Sequence, residues 1–169
     1  MEAGEHDWSG QIELVYRRRY GNFLRVAAAI VGDERLAEEA IHDGFVRALR
    51  HRRRFEQRGS LEAWLWRIVV NEARRRRVLE TRMPLASLPL LDGVPDTATV
   101  TANGDCEGRA VEAFLAALPE RQRLALFLRY YADLDYAAIA TALAVKPGTV
   151  AATLNAAHAA LRRQLLEVE

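Results

Sequence analysis

The chain has 169 residues, of which half are hydrophobic and 28% are charged, and its formal net charge is +1. This composition predicts a folded soluble protein, and no apolar stretch is long enough for membrane insertion. The acidic N-terminus lacks the apolar segment of a signal peptide. Cys106 is the single cysteine, so an intramolecular disulfide is excluded, and no Cys/His spacing indicates zinc. We therefore expect a cytoplasmic protein that holds no metal or cofactor.

Charge is distributed unevenly along the chain. Residues 1–77 carry a net charge of +4, residues 78–108 carry −4 and residues 109–169 carry +1. This distribution predicts two modules joined by an acidic linker. Only the first module has the excess of positive charge that favours binding to a nucleic acid.

Two amphipathic helices are predicted at the start of the chain. The first spans residues 12–31 and stops before Gly32, and Asp33 is placed to cap the second, which spans residues 34–50. Asp43 and Arg47 of the second helix are spaced as an i,i+4 pair. Away from its apolar stripe, this helix is polar and largely acidic, and the side chains there are Glu38, Glu39, His42 and Asp43. Such a side is either a solvated face or a docking surface for a basic partner.

An arginine-rich loop follows at residues 51–60. Phe55 interrupts its basic residues, which are Arg52, Arg53, Arg54 and Arg58. Basic residues interleaved with an aromatic ring suit single-stranded nucleic acid, because a base can stack while phosphates are neutralised. The alternative is that Phe55 pins the loop to the helices.

A third helix is predicted from Ser60, which can cap its first turn, to Arg77. One apolar face is formed by Leu61, Trp64, Leu65, Ile68 and Val69. A polar ridge is formed by Arg67, Asn71 and Arg74, whereas Trp66 and Val70 are expected to lie on neither face. This helix can dock on a protein and touch a polyanion at once. The alternative is a central helix of a bundle with a solvated arginine-rich end.

The remainder of the chain predicts a linker and a second helical module. Residues 78–108 are rich in proline and glycine and show no helical period, which is typical of a flexible linker. The period returns from Arg109, and Pro119 suits the first position of a helix. Two short helices separated by a tight turn at residues 144–148, the second opening at Pro147, predict a helix-turn-helix. The apolar stripe of that last helix is Val150, Leu154, Ala157 and Leu161.

Five segments, in this order and spacing, resemble the extracytoplasmic-function group of bacterial RNA polymerase sigma factors. They are YRRRYGNFLRVA, GDERLAEEAIHDGFVRAL, LEAWLWRIVVNEARRRR, LPERQRLALFLRYYADLDYAAIA and KPGTV. The resemblance covers about residues 12–77 and 109–166. It implies an all-α fold with two small helical domains, region two at residues 1–77 and a helix-turn-helix region four at residues 109–169, joined by a flexible linker at residues 78–108. It also implies a non-enzymatic subunit that binds core RNA polymerase and directs promoter recognition and transcription initiation.

The resemblance assigns a role to each polar surface. The acidic side of the second helix, Glu38, Glu39, His42 and Asp43, matches the surface that binds the β′ clamp helices. The residues implied to meet the minus-ten element are Arg52, Arg53, Arg54, Phe55, Arg58, Asn71, Arg74 and Arg75. Region four is implied to contact the β flap and to bind minus-35 DNA through Lys146, Thr149, Thr153 and Asn155. Promoter DNA and core polymerase are thus the implied partners, and an anti-sigma factor is one that the family often has.

The last helix departs from the family's pattern. Residues 149–157 contain no lysine or arginine, where family members usually place basic and polar residues. Few side chains there could reach phosphates or base edges. The alternative function is therefore a sigma-like DNA-binding regulator or protein-interaction module with weakened minus-35 recognition. An enzyme is not indicated, because the four histidines lie in different elements without ligand or triad spacing.

Overall fold

The computed structural model describes residues 8–55, 59–82, 114–115 and 117–166, with the side chains of residues 81, 82 and 165 left out. Within these ranges the chain forms helices and no strand, which confirms the all-α expectation. The described α-helices are α1 (Trp8–Val31), α2 (Glu34–Arg50), α3 (Leu61–Arg82), α4 (Glu120–Tyr130), α5 (Tyr136–Leu143) and α6 (Pro147–Leu166). A short 3-10 turn, Arg52–Arg54, follows α2.

The ends of the first three helices follow from local chemistry. Gly32 adopts φ +79°, a left-handed conformation that a glycine accommodates without strain and that ends α1. The Asp33 carboxylate accepts a hydrogen bond from the Leu36 amide at 2.8 Å and caps α2. Ser60 Oγ accepts one from the Ala63 amide at 3.0 Å and caps α3. The predicted stop and both predicted caps are confirmed.

The first three helices pack around aromatic and small residues. The rings of Phe23 in α1 and Trp66 in α3 lie 4.0 Å apart between centroids, and both side chains are fully buried. Gly44 lets α2 approach α3 closely, because a Cβ built there would lie only 3.1 Å from Cγ2 of Val69. Close packing of this kind supplies most of the stabilising contacts of a small helical domain.

The expectation that Trp66 and Val70 lie on neither face of α3 is wrong. Both side chains are buried, whereas Trp64 and Ile68 of the predicted face are only partly buried. The physical reason is that α3 contacts α1, α2 and α5, so its buried surface is wider than one stripe. The central-helix alternative therefore describes most of α3.

Helix α3 is also longer than predicted. It continues to Arg82, five residues beyond Arg77. Residues 83–108 of the predicted linker and residues 109–113 of the predicted region four lie outside the described residues. Pro119 has an extended conformation, with φ −51° and ψ 138°, and immediately precedes α4. It therefore serves as the capping residue and not, as expected, as the first helical residue.

The last two helices form the predicted helix-turn-helix. The Asp135 carboxylate accepts a hydrogen bond from the Ala138 amide at 2.7 Å and caps α5, and Ala144, at φ +55°, ends it. Helices α5 and α6 are bent by 98° relative to each other. Of the predicted apolar stripe of α6, Val150, Leu154 and Ala157 are buried and Leu161 is half-buried.

The second group of helices packs on the first. Helix α5 contacts α3 and α4 contacts α1, and the buried residues of all six helices belong to one hydrophobic cluster. No single described helix is long and apolar enough to cross a membrane, although α5 and α6 would meet that criterion if the bent pair were taken together.

Candidate nucleic-acid and protein interfaces

The acidic side of α2 is partly occupied by an arginine of α3. Arg76 donates hydrogen bonds to Oε2 of Glu39 and Oδ2 of Asp43, and Arg35 of α2 pairs with the other oxygen of Glu39. Burial by itself lowers the pKa of the Arg76 guanidinium, but the hydrogen bonds to Asp43 and Glu39 outweigh burial and raise that pKa. Two of the four side chains are thus fixed in position by ion pairs.

The other members of this surface are more open. Glu38 and His42 are exposed on α2. Asp43 does not pair with Arg47, contrary to the i,i+4 expectation, because α3 offers each of them a different partner. Arg47 bonds Oε1 of the buried Glu72 at 2.8 Å. The surface therefore presents four polar groups, of which the Glu39 and Asp43 carboxylates are held by contacts between α2 and α3.

Phe55 lies in an aromatic cluster that joins the loop to two helices. Its ring meets that of Trp8 in α1 edge to face, with centroids 5.0 Å apart, and lies 5.4 Å from Trp64 in α3. Arg52 donates a hydrogen bond to the Leu49 carbonyl at 2.8 Å, and Arg53 and Arg54 are exposed. This cluster favours the alternative in which Phe55 pins the loop to the helices, while the arginines lie at the surface of the loop. Arg58 lies outside the described residues.

The predicted polar ridge of α3 is exposed and faces α4. Arg67, Asn71 and Arg74 are all exposed. Arg74 forms a bidentate ion pair with Glu120, in which Nε lies 3.0 Å from Oε1 and Nη2 lies 3.1 Å from Oε2. Arg75 lies 3.9 Å from Oε2 of Glu72. A ligand can therefore reach the ridge at Arg67 and Asn71, whereas Arg74 is already paired with Glu120.

An open groove of about 750 Å³ lies between α3 and α4 beside this ridge. It is lined by Asn71, Arg74, Arg75, Arg77, Val78, Leu79, Glu120 and Arg123. Sequence reasoning missed Glu120 and Arg123, because they follow Arg74 by more than 40 residues and helical periodicity carries no information about contacts at that separation. Four arginines against one carboxylate give the groove a positive charge that suits an anionic chain.

The described face of α6 offers little to DNA. Lys146 and Asn155 are exposed, but Thr149 and Thr153 are half-buried. The Thr153 hydroxyl donates a hydrogen bond to the Thr149 carbonyl at 2.7 Å, so it is already used inside its own helix. Ala152, Ala156 and Ala159 are also exposed, and the exposed cations of α6, Arg162 and Arg163, follow only near its end.

An exposed aromatic patch lies where α4 meets the helix-turn-helix. Tyr130, Tyr131 and Tyr136 are exposed, and the Arg129 guanidinium lies 6.0 Å from the centre of the Tyr136 ring. The Tyr130 hydroxyl lies 2.9 Å from Nε2 of His158, which joins α4 to α6. These tyrosines could not be assigned to the surface from the sequence, because their spacing does not distinguish exposed residues from core residues.

The described residues include no group of three or more His, Cys, Asp or Glu side chains that could hold a metal ion. The described surfaces comprise an acidic face on α2, a basic ridge and groove on α3 and α4, and exposed tyrosines on α4 and α5.

Two family descriptions match the chain in succession. Sigma-70 region 2 matches residues 15–82, and Sigma-70, region 4 matches residues 108–161. The first match contains most of α1 and all of α2 and α3, and the second contains α4, α5 and the greater part of α6.

Relatives of known function are similar over most of the chain. The RNA polymerase sigma-H factor of Pseudomonas aeruginosa is 26% identical over 164 residues, which cover 90% of this chain and 85% of that protein. The ECF RNA polymerase sigma factor SigE of Mycolicibacterium smegmatis is 32% identical over 160 residues, which cover 90% of this chain and 60% of that protein.

Solved structures share the fold. CnrH in complex with the cytosolic domain of CnrY superposes with a TM-score of 0.67 at 18% identity, covering 96% of this chain and 92% of that one. The sigma factor RpoE in complex with the anti-sigma factor NepR from Bartonella quintana superposes with a TM-score of 0.61 at 21% identity, covering 94% and 96%.

Proposed function

The chain belongs to the sigma-70 family of bacterial RNA polymerase sigma factors, in the extracytoplasmic-function group, and from this membership we propose which of its surfaces bind polymerase and which bind promoter DNA. It binds core RNA polymerase and directs promoter recognition and transcription initiation. The observation that carries this function is the succession of the region 2 and region 4 matches on one chain. None of the comparisons favours the alternative of a regulator that does not initiate transcription.

The proposed division of the chain follows its charge and its helices. Region two occupies residues 1–77, a linker residues 78–108 and region four residues 109–169. Helix α3 runs to Arg82, so the linker begins with a helical extension of region two. The family is non-catalytic, and we extend this to the chain as a subunit with no reaction of its own that works in the cytoplasm.

Polymerase is proposed to bind the acidic side of α2, with Glu38, Glu39, His42 and Asp43 facing the β′ clamp helices. The support is that Arg76 fixes two of the carboxylates, because a preorganised charge loses less conformational freedom on binding than a mobile one. Glu38 and His42 are exposed beside them. Complementary charge across such a surface speeds encounter and sets orientation.

The minus-ten element is proposed to meet the loop and the ridge. A base can be read only after it leaves the stack, which costs a few kcal/mol. Arginine contacts to phosphates and stacking on aromatic rings offset that cost. The residues proposed for this role are Arg52, Arg53, Arg54, Phe55, Arg58, Asn71, Arg74 and Arg75, with Phe55 holding the loop against Trp8 and Trp64.

Region four is proposed to contact both DNA and protein. Lys146, Thr149, Thr153 and Asn155 are its candidates for the minus-35 element, with a weak contribution because only Lys146 carries a charge. The exposed tyrosines of α4 and α5 support a protein contact such as the β flap, since aromatic residues are enriched at protein interfaces. An anti-sigma factor is a further proposed partner, as in the structural neighbour bound to NepR.

A run-off transcription assay tests the proposal. The full chain is added to core polymerase on a library of promoter fragments, and the transcripts are sequenced. We expect discrete start sites that are absent with core polymerase alone. Polymerase binding without any new start site would favour the regulator instead.

A further inference from the structure

The ion pair between Arg74 and Glu120 joins the two parts of the chain at a DNA-contact residue. The partners are 46 residues apart, and both guanidinium nitrogens face separate carboxylate oxygens at 3.0 and 3.1 Å. Each side chain is less than half exposed, at 46% for Arg74 and 42% for Glu120. Arginine makes the same bidentate arrangement with a phosphate group.

Among the described residues that line the groove, Glu120 is the single carboxylate. The groove otherwise carries four arginines, an asparagine and two apolar side chains. Placed among arginines in this way, the carboxylate occupies the kind of position that a phosphate of a bound strand would take. Its negative charge also lowers the positive potential that the groove presents to an anion.

The position of Glu120 is fixed by the packing on either side of it. Leu118 and Leu124, which flank it at the start of α4, are buried, at 7% and 3% exposure. Helix α4 contacts α1, and α5 contacts α3, so the start of α4 is held close to the ridge. The fold therefore places Glu120 within reach of Arg74.

We propose that Glu120 is an autoinhibitory group, which occupies Arg74 in the free chain and is displaced by a phosphate of single-stranded DNA. The inference rests on the proposed function, in which Arg74 meets the minus-ten strand. It adds that region four competes for that contact until the strand arrives. Because both partners are partly exposed, the pair is weak enough to be displaced by a strand that makes several phosphate contacts.

The test measures single-stranded DNA binding by the full chain with Glu120→Gln. Fluorescence anisotropy of a labelled oligodeoxythymidine of about 15 nucleotides is recorded between about 50 and 200 mM salt. We expect the variant to bind about two- to fivefold more tightly, the range that one exposed ion pair can contribute. We also expect the log-log salt slope to steepen by up to about 0.7, because Arg74 becomes free to neutralise one more phosphate.

Glu13→Gln is the matched control. It changes the net charge by the same amount, and Glu13 lies in an exposed pair with Arg17 of its own helix. This control should bind DNA as the unmodified chain does. Thermal melting followed by circular dichroism checks that both variants remain folded.

A double-mutant cycle with Arg74→Ala makes the result specific. The gain from Glu120→Gln should vanish when Arg74 is already alanine. A gain that persists there, or one that Glu13→Gln reproduces, would overturn the inference, because charge alone would explain it. Equal binding by Glu120→Gln and the unmodified chain, including no measurable binding by either, would overturn it as well.

The same cycle separates this inference from the proposed function. If Arg74→Ala weakens binding and Glu120→Gln does nothing, only the autoinhibitory role fails. If Arg74→Ala binds DNA as well as the unmodified chain does, the assignment of Arg74 to the minus-ten strand fails and the inference fails with it.

Discussion

At the scale of single residues, the arginine-rich end of α3 is a set of specific ion pairs. Arg74 pairs with Glu120, Arg75 lies 3.9 Å from Glu72, and Arg76 bridges Glu39 and Asp43. Glu72 is buried and pairs with Arg47 at 2.8 Å, so removing Arg47 would leave this carboxylate with only the more distant Arg75 as a partner. Two of the four arginines, Arg74 and Arg76, thus join α3 to α4 and α2 before any ligand binds.

Tyr20 makes the stability of the fold sensitive to alkaline pH. Burial raises the pKa of its hydroxyl above the usual 10.0, and the negative charge of Glu38 raises the pKa further. The unfolded chain therefore loses this proton first, so the stabilisation is present below pH about 10 and is lost as pH rises above it. Tyr20→Phe should make the alkaline fall in unfolding free energy shallower, measured by urea titration at several pH values.

The exposed Tyr136→Phe is the control for this prediction. It should leave the alkaline fall as it is in the unmodified chain. An unchanged fall in Tyr20→Phe would show that other groups govern stability at high pH.

At the scale of elements, α2 is proposed to dock on polymerase through side chains that its neighbour α3 holds in place. Glu39→Lys and Asp43→Lys, made singly, should each lower the affinity for core polymerase by roughly tenfold or more, since a like charge then faces a basic partner. Each change also leaves Arg76 facing a cation, so we expect a lower unfolding free energy that needs separate measurement. Affinity is measured by titration of core polymerase, and folding by circular dichroism.

Glu13→Lys provides the charge-matched control, because it makes the same change on an exposed side of α1. It should bind polymerase normally. Normal binding by both α2 variants would remove this surface from the polymerase interface.

Helix α6 is the second helix of the helix-turn-helix, and it carries small side chains at positions where charged side chains would be expected. Ala152 and Ala156 are exposed and lie one turn apart. Ala152→Lys combined with Ala156→Arg should tighten binding to duplex DNA and steepen its salt slope by about two. Ala151 and Thr153 are less suitable positions, because both are half-buried and the Thr153 hydroxyl bonds within the helix.

The duplex measurement uses the full chain and a duplex of random sequence. Glu13→Lys again matches the added charge and should leave the slope unchanged. Tight binding of the unmodified chain to a specific upstream duplex at physiological salt would contradict the view that α6 reads DNA poorly.

The types of the elements and several of their boundaries could be predicted from the sequence, because they depend on nearby residues. The bounds of α2, the caps at Asp33 and Ser60 and the stop at Gly32 all follow from contacts within four residues. Long-range contacts could not be predicted in this way. The burial of Trp66 depends on Phe23, and the occupation of Arg74 depends on Glu120, and neither partner can be identified from the period of α3.

At the scale of the whole molecule, the two family-matched parts share one hydrophobic cluster. Its members come from α1, α2 and α3 as well as α4, α5 and α6. Contacts of α3 with α5 and of α1 with α4 connect the parts, and the Arg74–Glu120 pair adds a polar link at the edge of the groove. In this arrangement the ridge of α3 cannot separate from α4 without exposing apolar surface or breaking an ion pair.

The shared cluster predicts a single unfolding transition for the free chain. All three tryptophans lie at positions 8, 64 and 66, so tryptophan fluorescence reports only on α1 and α3, whereas far-ultraviolet circular dichroism reports on every helix. If the parts unfold together, the two signals should give the same midpoint in urea, because coincident transitions are the mark of one cooperative unit. Trp66→Leu, which weakens the contact with Phe23, should then lower both midpoints by the same amount. A helical signal that survives after the fluorescence transition is complete would show that α4, α5 and α6 unfold on their own and that the contact between the parts contributes little to stability.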